Sequence, residues 1–277
     1  MRQLEEIAFA KVNLFLNVIG RDEQGYHLLE SYFALLNCGD AIAIKESLAL
    51  NCITENAEIR EENIALKAFK AMEAYIGFLK PVEILINKKI PIAAGMGGGS
   101  SNAASTIRLV NTLYNLNLSM KEMADIAYNV GADVPFFIHN NSAFATGRGE
   151  KLLPLKLNIS LPVLLVKPPV NVNTKEVYKL SVKSFTPNLE EISAKSMIEQ
   201  IYYGKNDLTA PALIIAPPVS ETLDIIAKQA GCIASRMSGS GSTCFGIFSD
   251  EEKAKQALYN LNKTYPKFWC HYQLLEL

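Results

Sequence analysis

The chain is predicted to adopt a mixed α+β fold, and three observations predict it. Residues 7–19 alternate, with Ala8, Ala10, Val12, Leu14, Leu16 and Val18 all apolar on one parity, the signature of a strand with one face in a core. Residues 62–75 instead carry Ala65, Phe69, Met72 and then Ile76 at helical spacing. Strand and helix patterns then follow one another along the chain without a regular βαβα repeat, which favours α+β over a doubly wound sheet.

Taken in order, the first strand places Lys11 and Asn13 together on its other face, about 6–7 Å apart by standard rise. Arg21 to His27, with Asp22, Gly25 and Tyr26, is a loop. Asp40 to Glu46 and Leu48 to Cys52 are short strands, Glu62 to Tyr75 a helix, and Val82 to Asn87 a strand. Pro91 to Ser101 is a glycine-rich loop. A helix starts at Ser100 and shows one face through Ala103, Ile107, Val110 and Tyr114. Ser119 and Glu122 form a capping box for the next helix, and Gly131 ends it as a left-handed residue. Residues 161–168 make a buried strand, and a domain boundary is expected near 155, giving domains 1–155 and 156–277. Helices follow near 174–180, 192–203 and 220–230, the last capped by Ser220 and stopped by Gly231. Strands near 232–237 and 243–248, a helix at 250–261 and a strand at 268–276 close the pattern.

Composition narrows the function. The 277 residues are 49% apolar and 20% charged, with a formal net charge of −1, which suits a globular protein and gives no basic surplus for nucleic acid. The five cysteines, at 38, 52, 232, 244 and 270, are odd in number and lack C-x-x-C spacing, so reduced thiols are expected rather than a zinc site or a disulfide framework. The first twenty residues have Glu5 and Glu6 where a signal peptide wants bases. No run approaches about 18 apolar residues. A cytoplasmic protein with neither membrane nor nucleic-acid partners is expected.

The strongest motif is PIAAGMGGGSSNAAS, Pro91 to Ser105, where glycines, paired serines and a helix start follow a strand. Glycines let the backbone approach a phosphate and turn its N–H groups toward it, and the helix N-terminus adds unpaired donors. It is not a Walker A loop, because Gly99 is followed by Ser100 rather than lysine. Nor is it a dinucleotide fingerprint, because the sixth position from Gly95 is Ser100. A second string, MSGSGSTCFG (Met237 to Gly246), reads either as a tight hairpin or as a second wall of the phosphate site. In GADVPFF, Asp133 stands between Gly131 and Pro135 and reads either as a helix cap or as a general base for a substrate hydroxyl. Lys11 reads either as a snorkelling surface lysine or as positive charge for a transferred phosphoryl group.

With AKVNLFLNVIGRDEQGYHLLES at the start, GMGGGSSNAAS, GADVPFF, NDL at Asn206 to Leu208 and MSGSGS in this order, the chain resembles the GHMP kinase superfamily along nearly its whole length. The resemblance implies an N-terminal α/β domain of ribosomal-S5-like type, a C-terminal ferredoxin-like domain, and ATP-dependent phosphorylation of a small-molecule alcohol with Mg²⁺. It implies that Pro91, Ile92, Ala93, Ala94, Gly95, Met96, Gly97, Gly98, Gly99, Ser100 and Ser101 form the ATP loop, with Met96 where leucine is commoner. Asp133 matches the family's base and Lys11 the lysine that pairs with it. Asn13, Tyr26 and His27 match a pocket for a cytidine base, and Tyr178 an aromatic that stacks on it. A monomer or homodimer is expected.

Overall fold

The computed structural model describes residues 3–56, 63–181 and 185–277. Glu62, expected to open a helix, lies outside them. The elements are β1 (Gln3–Arg21), β2 (His27–Glu46), β3 (Asn51–Glu55), α1 (Ile64–Ile76), β4 (Val82–Asn87), α2 (Gly98–Leu113), α3 (Met120–Val130), α4 (Val134–His139), β5 (Ala143–Thr146) and β6 (Lys151–Leu153). They continue with β7 (Ser160–Lys167), α5 (Thr174–Leu180), α6 (Ala194–Tyr203), α7 (Thr209–Ile215), α8 (Pro218–Ala227), β8 (Cys232–Met237), β9 (Cys244–Phe248), α9 (Glu251–Thr264) and β10 (Trp269–Glu276).

The chain divides into two compact units. Unit one holds Met1–Ala10, Asn37–Ile92 and Gly97–Asn141; unit two holds Lys11–Leu36, Ala93–Met96 and Ser142–Leu277. In unit one, β4 pairs in parallel with β3 and antiparallel with the second half of β2, with Ile42 opposite Ile86 and Ile44 opposite Ile84. Val82, Ile84 and Ile86 are buried while the residues between them are not, so the alternation read from sequence is the alternation of the sheet. Helices α1 to α4 pack on one another, and Phe69, Met72, Ile107, Val110 and Ile126 on them are buried. Asn63 caps α1, accepting the Ala65 N–H at 2.9 Å, and the Ser119–Glu122 capping box opens α3 as expected. Gly39 lies against β1 so closely that an added Cβ would sit 2.3 Å from the Ala8 carbonyl oxygen.

Unit two is built on an antiparallel sheet in the order β10-β7-β9-β8, with α9 on the crossover from β9 to β10. Counting its strands in chain order gives 4-1-3-2, the ferredoxin-like arrangement. Its core runs from Leu16 and Val18 through Leu164, Val166, Leu208 and Phe248 to Ala257 and Leu261. The first half of β2 pairs with β5, Tyr32 opposite Phe144.

Several expectations shift. The second strand starts at His27 rather than Asp40, because Leu29 to Ala34 are buried on both faces and carry no alternation. Leu48 is fully exposed, and β3 begins only at Asn51. Gly131 ends α3 with extended backbone (φ 176°, ψ 152°), not left-handed, because the chain turns at once into α4 through a Val134 N–H bond to the Gly131 carbonyl. The helix expected at 220–230 begins at Pro218 and ends at Ala227, so Ser220 lies inside its first turn and Gly231 beyond its end. The short helix α7 was unexpected from its Pro211, which its first turn tolerates.

Arg236 of β8 is buried and donates to the carbonyls of Leu14 (2.8 Å), Ile201 (2.6 Å) and Tyr202 (2.6 Å). The last two belong to the C-terminal turn of α6, where unpaired carbonyls and the helix dipole favour a cation. Burial pulls this guanidinium down to about 10. Arg236→Met leaves those carbonyls without their donor and is expected to lower unfolding free energy by about 2–4 kcal/mol, read from urea denaturation.

Candidate active site

The glycine loop leaves β4 through a turn that a buried carboxylate holds. Asp40 is fully buried, and its Oδ1 accepts the N–H groups of Lys89 (2.8 Å) and Ile90 (2.9 Å). Its Oδ2 takes the ammonium of Lys88. That ammonium and the Ile90 side chain reach α2, where an added Cβ on Gly98 would lie 3.3 Å from Lys88 Nζ and 3.2 Å from Ile90 Cγ2. The helix therefore starts at Gly98, not at Ser100: glycine lets Lys88 and Ile90 pack against its first turn. Gly97 is the N-cap, left-handed at φ 68° and without a side chain to satisfy the first N–H groups. Ser100 and Ser101 follow within that first turn.

Ala93 to Met96 are held in unit two. Lys11 N–H donates to the Met96 carbonyl (3.0 Å), Thr243 N–H to the Ala94 carbonyl (3.2 Å), and Ser238 Oγ to the Gly95 carbonyl (3.1 Å). Gly95 has φ +70°, and an added Cβ would meet the carbonyl oxygens of Ser238 at 2.5 Å and Gly241 at 2.8 Å. Ser238 to Gly241 belong to the turn joining β8 to β9, with Met237 opposite Cys244. The second glycine-serine string is a hairpin turn, and it lies against the first loop at Gly95. Asn206 supports it, its Nδ2 donating to the Met237 and Gly239 carbonyls at 2.7 Å each. Lys167 supports it more remotely. Its Nζ donates to the Val170 carbonyl (3.0 Å), which also accepts from Ser242 Oγ.

Lys11 and Asn13 form one cluster. Lys11 is 4% exposed, so it does not snorkel; its Nζ donates to Asn13 Oδ1 (2.6 Å) and lies 4.2 Å from the centre of the Phe33 ring. Asn13 Nδ2 donates to Ser31 Oγ (2.9 Å), and its backbone N–H to Ser238 Oγ (3.2 Å). In unit one, Asp133 occupies the N-cap position of α4 but its carboxylate makes no capping hydrogen bond there.

His27 and Tyr178 form a second cluster in unit two, ring centres 5.1 Å apart and tilted by 38°, with Ser181 Oγ 3.3 Å from His27 Nε2. Burial, helped by the charge of Arg21, lowers the His27 pKa below its ordinary value. Tyr26 lies under the guanidinium of Arg148, its ring centre 3.9 Å from the guanidinium carbon. Arg148 and Asp40 carry this geometry and were not singled out by sequence for any role, while Asn206 and Ser238 entered only as members of motifs; their contacts span 31 to 225 residues, out of reach of local pattern. Among the described residues no group of three or more His, Cys, Asp or Glu side chains is placed to hold a metal ion, all five cysteines are free, and no helix is long and apolar enough to cross a membrane.

Comparison with known proteins follows the same lines. Residues 63–141 match the GHMP kinases N terminal domain, and residues 185–267 the GHMP kinases C terminal domain. The chain is 36% identical to a 4-diphosphocytidyl-2-C-methyl-D-erythritol kinase of Rhodopseudomonas palustris (strain BisB18), over 98% of this chain and 94% of the relative. It is 34% identical to the protein of that name from Thermodesulfovibrio yellowstonii, over 95% of this chain and 94% of the relative. A crystal structure of 4-(cytidine 5'-diphospho)-2C-methyl-D-erythritol kinase superposes with a TM-score of 0.81 at 32% identity, covering 98% of this chain and 99% of that one. The chain belongs to the GHMP kinase family, in the group of the 4-diphosphocytidyl-2-C-methyl-D-erythritol kinases.

Proposed function

We propose that this protein transfers the γ-phosphoryl group of ATP to the 2-hydroxyl of 4-diphosphocytidyl-2-C-methyl-D-erythritol, a step of the non-mevalonate route to isopentenyl diphosphate. The observation that carries the reading is the near-full-length likeness to kinases of that name. The contact of Gly95 with the Ser238–Gly241 turn supports it, because it gives the glycine loop a fixed backbone on which phosphates can rest.

In this mechanism the substrate hydroxyl oxygen attacks the γ-phosphorus, Asp133 takes the hydroxyl proton, and ADP leaves. Lys11 stabilises charge on the transferred group. The loop Pro91–Ser101 binds the triphosphate through backbone N–H groups and the hydroxyls of Ser100 and Ser101. The hydroxyls of Ser100 and Ser101, as hard oxygen donors, would fit Mg²⁺, which would supply charge neutralisation for the phosphates. Asn13, Tyr26, His27 and Tyr178 read the cytosine. The work of the protein is placement and electrostatics. The reaction belongs in the cytoplasm, where ATP is available.

A coupled ADP-release assay tests the substrate. Turnover is expected with the cytidine substrate and not with mevalonate, homoserine or galactose; turnover with any of these instead would discard the cytidine pocket. Asp133→Asn should fold and bind ATP yet lose about 10²- to 10⁴-fold in kcat. Gly95→Ala should raise the KM for ATP about tenfold, equivalent to about 1.4 kcal/mol, by pushing the loop off the Ser238 and Gly241 carbonyls.

The lowered pKa of His27 gives a pH test. A pKa below the ordinary histidine value means that this ring takes its proton at a lower pH than a free imidazole would. The KM for the cytidine substrate should stay flat from about pH 8 to 6.5 and rise below that, and the rise should vanish in His27→Gln. An unchanged pH profile in that variant removes His27 from base recognition.

A further inference from the structure

Tyr26 is 56% exposed at the tip of a turn, where a tyrosine ring would ordinarily sample several rotamers. Here the turn is closed by backbone bonds from Asp22 N–H to the Tyr26 carbonyl and from Gly25 N–H to the Asp22 carbonyl, both 2.9 Å. Asp22 Oδ1 accepts the N–H groups of Gln24 (3.0 Å) and Tyr26 (2.9 Å). The other carboxylate oxygen takes Arg148, through Nε at 2.7 Å and Nη2 at 2.6 Å, and Nη2 also donates to Gln24 Oε1 at 2.8 Å. With its fork spent on the turn, the guanidinium lies across one face of the Tyr26 ring, 3.9 Å from its centre. The backbone carrying Arg148 is itself fixed. Its N–H donates to Glu150 Oε2 (2.6 Å), and the Gly147 carbonyl accepts from Leu29 N–H (2.8 Å).

We propose that Arg148 is a positioning residue for the nucleobase: it acts through Tyr26, holding that ring in place by one face so that the other stacks on the pyrimidine of the cytidine substrate. The inference rests on the reading that Tyr26 belongs to the base pocket. Its physical content is pre-organisation. An exposed aromatic ordered only on binding gives up rotamer freedom at that moment, whereas one already ordered does not, and the difference appears as affinity. Lysine cannot replace arginine here, because a point ammonium cannot bridge Asp22 and Gln24 while lying flat on the ring.

The test is steady-state kinetics with Arg148→Ala, Tyr26→Ala and the double variant, each with saturating ATP and then with saturating cytidine substrate. Arg148→Ala should raise the KM for the cytidine substrate about five- to tenfold, leave kcat and the KM for ATP unchanged, and add nothing to Tyr26→Ala in the double variant. Arg148→Lys should not restore the wild-type KM. If Tyr26→Ala raises the KM while Arg148→Ala does not, this inference fails and the base-pocket reading stands. If the two effects multiply in the double variant, Arg148 acts on the substrate independently of Tyr26 and the inference is overturned. If neither variant changes the KM, the base-pocket reading falls and the inference with it.

Discussion

The hydroxyl of Ser238 joins three segments that are remote in sequence. It accepts the backbone N–H of Asn13 and donates to the carbonyl of Gly95, across 225 and 143 residues. Around that one oxygen the glycine loop, the β8–β9 turn and the Lys11–Asn13 strand are set in register. Because a hydroxyl is both donor and acceptor, a single small side chain satisfies two buried backbone groups whose lone exposure to an apolar interior would each cost about 1–3 kcal/mol. The contact is tight enough that Gly95 tolerates no Cβ, so backbone meets backbone and leaves the loop little freedom to drift.

Buried cations carry much of the support. Lys167 and Arg236 are both held by backbone carbonyls, and burial lowers the pKa of each. Carbonyl ligation holds these charges without a buried carboxylate beside them. Lys88 is the contrast: it pairs with the Asp40 carboxylate, which also anchors the backbone of Lys89 and Ile90. There the carboxylate does two tasks at once, shaping the exit from β4 and setting an ammonium against the first turn of α2.

Much of this was legible in the linear sequence, for identifiable reasons. The alternation over Val82 to Asn87 is strict because one face of that strand is buried and the other is not; that over residues 7–19 is one of side-chain type, apolar against mixed, since residues 10–18 are buried on both faces. The Ser119–Glu122 box is local, so spacing alone reveals it. The first half of β2 was illegible because Glu30, Ser31 and Tyr32 are buried on consecutive positions, which erases any period. The glycine strings announced a loop, but not that Gly98 and Gly99 would enter the helix, since that depends on Lys88 and Ile90 packing against Gly98 and Ile64 lying beside Gly99. The clustering of Lys11 with Asn13 followed from strand spacing. The pairing of His27 with Tyr178 and of Tyr26 with Arg148 did not, because residues 151 and 122 positions apart share no local signal.

Unit two draws its first strand segment from Lys11–Leu36 and its sheet from Ser142–Leu277, whereas unit one is complete once Asn141 has been made. During synthesis the Asn13 backbone must therefore wait for Ser238, 225 residues later. At about 5–20 residues per second this is on the order of ten to forty-five seconds. Throughout that interval Leu16 and Val18 lack the sheet that buries them, and a growing chain exposes one apolar ribbon long after unit one has closed. The same long-range hydroxyl that sets the loop in place makes the N-terminal strand the segment most in need of shelter on the ribosome.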